Sequence, residues 1–112
     1  MRIHACVTAL SLLVLLPSPV SSAKTARENY KEHCNVCHGA DGRSQTRLGK
    51  KSGAKDLSDK AAQAKLTDAD AFKTIKEGRK NAKGEEKMEP FGDDLTDAEI
   101  TALVAYVRTL AK

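Results

Sequence analysis

Apolar residues are distributed along this chain in three different ways. Near the start they crowd together: Ala5–Leu16 reads "ACVTALSLLVLL", with no charge in it. Later they recur at helical intervals. In "TARENYKEH", Ala26 and Tyr30 lie four apart and share a face, which predicts a helix over 25–33. Ser58 is placed to cap a short helix, "DKAAQAK". Thr67 with Asp70 resembles a capping box opening "DADAFKTIKEG", where Phe72 and Ile75 share a face and Gly78 supplies the stop. The clearest element comes last. Thr96-x-x-Glu99 is a capping box, and Ile100, Leu103, Val104 and Val107 follow at helical spacing, flanked by Tyr106 and Leu110. Arg108 and Lys112 suit the negative end of that helix. Elsewhere the pattern vanishes. Gly39–Asp56, "GADGRSQTRLGKKSGAKD", reads as one long loop, and Arg79–Leu95 as a second irregular stretch containing Met88, Pro90 and Phe91. No internal repeat and no strand pair is evident, so the fold class expected is all-α.

The crowded apolar run follows Arg2 and precedes Pro17, Pro19 and the small residues Ser21-Ser22-Ala23. A basic start, an apolar core and a small-residue end make a secretory signal peptide, here 1–23. The run is short against the roughly 20 apolar residues of a membrane-spanning helix. Export to the periplasm, with no stable membrane insertion after cleavage, is the expectation. Cys6 lies ahead of the apolar core and leaves with the leader. The remaining domain, 24–112, keeps only Cys34 and Cys37. Losing Arg2 takes Lys+Arg from 19 to 18 against 15 Asp+Glu, a net charge of +3. No basic block is interleaved with aromatics, so nucleic acid is not the partner; a mildly basic surface suits acidic patches on other proteins.

The domain is thin in core material: two Phe, two Tyr and no Trp. A chain this small is marginal unless something reinforces it. A disulfide between Cys34 and Cys37 would close a tiny loop and stabilise little. Long structureless loops are also uncommon unless they wrap something. Both features indicate a missing core component.

The stretch "CNVCH", residues 34–38, supplies it. C-x-x-C-H is the attachment signal for c-type haem. Two thiols three residues apart on a turn reach the two vinyl groups of one haem, and the next residue, His38, projects to the iron as proximal ligand. Rival readings fare worse. A thioredoxin-like pair wants a βαβ pattern nearby, zinc wants two further ligands, and a plain disulfide leaves the thin core unexplained. For the other face of the iron, Met88 is the one methionine left after the leader, 50 residues beyond His38 in the strap before the last helix. His33 adjoins Cys34, is tied to the proximal side, and reads as a surface histidine.

With "CNVCHG", "KMEPFGDDLTDAEI" and "LVAYVRTL", the chain resembles class I cytochromes c, in particular small bacterial monohaem ones. The resemblance implies a cytochrome c fold: three to four short helices wrapped around one covalently bound haem c. The N- and C-terminal helices would cross, Ala26 and Tyr30 against Leu103 and Tyr106. It also implies Cys34 and Cys37 as thioether links and His38 and Met88 as axial ligands. The chain departs from the family at Ala26, where many members have Gly, and in lacking a proline between Val20 and Pro90. Many members use such a proline's carbonyl to orient the proximal histidine, so another carbonyl must do so here. The function implied is one-electron transfer by a monomeric periplasmic carrier, not an enzyme. Lysines such as Lys50, Lys51, Lys83 and Lys87 would meet acidic patches on redox partners. The alternatives are a haem-based gas sensor or peroxidase-like enzyme with a labile Met88, and a membrane-tethered subunit of a larger oxidoreductase.

Overall fold

Helix starts are set by capping chemistry. The Thr25 hydroxyl accepts the Glu28 N–H at the head of α1 (Ala26–Asn29), and the Glu28 carboxylate accepts the Thr25 N–H at 2.7 Å. The same reciprocal box, Thr96 with Glu99, opens α6 (Asp97–Arg108). Each satisfies donors that a helix end leaves without partners. The computed structural model describes residues 12–18 and 22–112. In it α1 continues through a π-helical turn, Tyr30–Cys34, into α2 (Asn35–His38), so that C-x-x-C-H closes a single helical segment.

Two stretches are more ordered than their composition suggests. The loop expected over 39–56 contains α3 (Arg47–Ser52), capped by the Thr46 hydroxyl and stopped by Gly53 in the left-handed region at φ 68°. The irregular stretch 79–95 contains an antiparallel hairpin, β1 (Arg79–Lys80) with β2 (Glu86–Met88), pairing Arg79 with Met88. The expectation of no strand pair is therefore corrected. These strands are polar, so no alternation announced them; their turn is held by the Asn81 side chain, which accepts from the N–H groups of Lys83 and Glu85.

Two caps also differ from expectation. Asp59 caps α4 (Lys60–Lys65), accepting from Ala61 and Ala62, while Ser58 turns back to Asp56. At α5 (Asp68–Glu77), Thr67 accepts from the Asp70 N–H, and the return bond that would complete the box is not made. An aspartate is one methylene shorter than the glutamate that reaches back at Thr25 and Thr96.

The terminal helices cross as expected. Tyr30 and Tyr106 meet with ring centroids 5.1 Å apart, Leu103 is fully buried, and Ala26 is half-buried. Ile75, Phe91, Leu95, Ile100 and Val104 complete the core against α5 and α6. Most of the leader, 1–23, lies outside the described residues. Leu12–Leu16, which are described, form no helix or strand and are exposed. Among the described residues no helix is long and apolar enough to cross a membrane.

Candidate haem-binding site

The helices close around a cavity of about 160 Å³ that opens to solvent. Leu57, Leu66, Ala71, Ile75, Leu103 and Val104 make its walls apolar. Cys34, Cys37, His38 and Met88 all line it. The structure thus brings together four residues spread over 34–88, and it does so with side chains of three chemistries.

The thiols come from the π-helical turn and α2. They are free and form no disulfide. Burial, and then the neighbouring Cys37, push the Cys34 thiol up to about 12. A thiol held protonated is the opposite of the activated thiolate that disulfide exchange needs, which argues against the thioredoxin-like reading. Among the described residues no three His, Cys, Asp or Glu side chains converge as a metal cluster would require. The segment is clamped from α3: the Thr46 hydroxyl donates to the Cys37 carbonyl at 2.7 Å. Gly49 lies so close that a Cβ there would stand 2.2 Å from the same carbonyl oxygen.

His38 is held by the carbonyl that the sequence could not identify. Its Nδ1 lies 3.1 Å from the oxygen of Lys55. A carbonyl only accepts, so Nδ1 carries the proton and Nε2 keeps its lone pair for a metal. Burial, and after it the nearby Arg79 charge, lower the tendency of this imidazole to protonate, against the raising effect of the Lys55 bond. A neutral ring is the ligating form. Ser44 also reaches this carbonyl.

Met88 approaches on the strap after α5. Gly78 ends that helix, and the last helical carbonyls are taken up by the strap itself: the Phe91 N–H donates to Ile75 at 2.9 Å and the Gly92 N–H to Lys76 at 3.0 Å. These groups have no partner within the helix, so the strap both satisfies the helix end and is fixed by it. His33 differs from its expected place at the surface. It is half-buried, lines the cavity, and sets its ring edge-on to Phe91, centroids 5.5 Å apart. Arg79 was not singled out by the sequence. It lines the cavity, and among the described residues it pairs with no carboxylate; its nearest recorded partner is the Gly53 carbonyl at 3.4 Å. A long loop leading from Gly78 gave no signal for it.

Two thiols, a neutral imidazole and a thioether on an apolar wall fit haem c: thiols for its vinyl groups, nitrogen and sulfur for its iron. The comparisons agree. The family model for cytochrome c oxidase, cbb3-type, subunit III matches residues 21–107. Among solved structures, the chain is similar to the c-type cytochrome KustC0563, at 38% identity and a TM-score of 0.71, over 80% of this chain and 100% of that one. It is likewise similar to a mutant of that protein, at 37% identity and a TM-score of 0.69, over 78% of this chain and 99% of that one. No curated protein sequence matches. The chain therefore belongs to the cytochrome c family that the cbb3-type subunit III model describes, a small c-type cytochrome with covalently bound haem c and haem-based electron transfer as its chemistry.

Proposed function

We propose that this protein is an exported one-electron carrier with a single haem c, linked through Cys34 and Cys37 and ligated by His38 and Met88. The observation that carries the reading is the convergence of those four side chains on one apolar cavity. Bound haem c supplies the one-electron couple. The chain's own residues do the rest. Cys34 and Cys37 tether the group, His38 presents Nε2 because Lys55 holds its Nδ1–H, and the strap from Gly78 to Gly92 holds Met88. Arg79 is the natural partner for a haem carboxylate, being a cation on the wall without an acidic partner among the described residues. The apolar walls exclude water from the ring. With His38 and Met88 both holding the metal, no place would be left there for a substrate, which favours a carrier over a sensor or an enzyme.

Export rests on the leader pattern and on the exposure of Leu12–Leu16, which add nothing to the core. Redox proteins with acidic docking patches are the proposed partners of a monomer. Lys50, Lys51 and Lys83 are exposed, and Lys87 lines the cavity. Val36, between the two cysteines, is 53% exposed and gives such a contact an apolar centre.

The test is the visible spectrum of the reduced holoprotein before and after carbon monoxide. The proposal expects a low-spin spectrum unchanged by the gas, and a clear shift in a Met88→Ala variant. A clear shift in the unaltered protein would refute His/Met closure and turn the search toward a gas or peroxide substrate.

A further inference from the structure

Ser44 is buried, 7% exposed, and holds a left-handed backbone at φ 58°. That region is uncommon for residues other than glycine and persists only where the surroundings enforce it. Here they do. The Ser44 N–H donates to the His38 carbonyl at 2.8 Å, pinning the residue beside the histidine. Its hydroxyl then donates to the Lys55 carbonyl at 2.5 Å. This is the same oxygen that receives the His38 Nδ1–H at a longer 3.1 Å. The hydroxyl oxygen itself lies 3.3 Å from Nδ1. Two donors thus share one acceptor.

We propose that Ser44 is a positioning residue that sets the reduction potential by competing with His38 for the Lys55 carbonyl. Partners of a ligating imidazole's other N–H govern its basicity. A strong Nδ1–H···O bond pushes the ring toward imidazolate, which favours the ferric state. The Ser44 hydroxyl draws on the same lone pairs and weakens that bond. The hydroxyl oxygen near Nδ1 compensates little, because it is a poorer acceptor than an amide carbonyl and further away. The net effect of Ser44 is to raise the potential. The inference rests on His38 being the axial ligand.

The experiment compares holoprotein with Ser44→Ala and Ser44→Gly variants. Alanine removes the hydroxyl and keeps the Cβ; glycine removes both and relaxes the left-handed backbone, so a folding defect in one does not decide the outcome. Midpoint potentials are read by voltammetry, and the His38 ring protons by proton NMR in both oxidation states. In both variants the ferric-to-ferrous ratio at fixed potential is expected to rise about threefold, which is about 30 mV at about 59 mV per decade for one electron. The Nδ1–H resonance of the ferrous protein is expected to move downfield as its bond shortens. A potential unchanged or raised in both variants, while His38 protons show the hyperfine shifts of a ligand, would overturn the inference and leave the ligation intact. His38 protons without hyperfine shifts in the unaltered ferric protein would overturn both.

Discussion

Gly78 has no side chain, and the Met88 strap occupies the space one would take. Its backbone, at φ 75° and ψ −172°, lies in a region open essentially to glycine alone. A Cβ there would stand 2.5 Å from the Met88 carbonyl oxygen and 2.8 Å from the Pro90 nitrogen. Gly78→Ala should therefore cost about 1–3 kcal/mol from backbone strain alone. It should also push the strap away from the cavity. The expected readout is a lowered Tm together with carbon monoxide binding in the reduced protein. An unchanged Tm and an unresponsive spectrum would show that the strap has room to yield. At this scale the sequence announces side chains with distinctive chemistry. Cys34, Cys37 and His38 are legible because their spacing is local, and Met88 because it stands alone. The partner of His38 is not legible: a backbone carbonyl belongs to every residue type, so nothing in the letters marks Lys55. Ser44 is equally silent, since its role follows from a fold that brings residues 38, 44 and 55 together.

Among the elements, α6 is bound to the chain before α5 largely by one side chain. The Arg108 guanidinium donates to the Gln63 carbonyl and side chain, to the Leu66 carbonyl, and to Asp68 at 2.9 Å. Gln63, buried, donates in turn to the carbonyls of Leu57 and Val107. This ties the end of α4, the start of α5 and the end of α6 into a single junction. A lysine keeps the charge and loses the planar fork that serves several acceptors at once. Hydrogen bonds to charged groups contribute about 1.5–3 kcal/mol each, and a lysine re-forms some of them. Arg108→Lys should thus destabilise by about 2 kcal/mol, read as a lower midpoint in guanidinium with the slope unchanged. A shift near zero would mean that packing, not this fork, holds the junction. The sequence shows α5 and α6 clearly because their apolar faces repeat at helical spacing. It hides α3 and the hairpin, since both are polar but for Leu48 and Met88 and too short to show a period. Gly49 and Gly53 read as loop residues, yet one permits α3 to touch Cys37 and the other ends the helix.

For the whole molecule, the thin apolar composition suggests a core with a component missing, and the structure has a cavity within that core. Ile100 and Leu103 are fully buried, and Leu103 lines the cavity. Leu57, Leu66, Met88 and Val107 are only partly buried around it. The helices meet each other at the Tyr30–Tyr106 crossing and where α5 packs on α6, and the rest of their apolar surface faces the space between them. A dry void of about 160 Å³ would cost about 4 kcal/mol at about 24 cal/mol per Å³. That is a large share of the whole stability of a small domain, about 5–15 kcal/mol. Admitting water would wet the apolar walls, which is no better. Haem c is thus as much a folding component as a redox one, and removing it should unfold the chain. The domain 24–112 made without haem attachment is expected to lose most of its helical far-UV circular dichroism and to show no cooperative melt. The holoprotein should melt in one transition. Capping boxes at Thr25 and Thr96 will not rescue the apoprotein, because each contributes only about 1 kcal/mol and helices this short are marginal in water on their own. An apoprotein with native helicity and a sharp transition would show that the helices collapse onto one another without the cofactor, and the walls now facing the cavity would have to be in mutual contact.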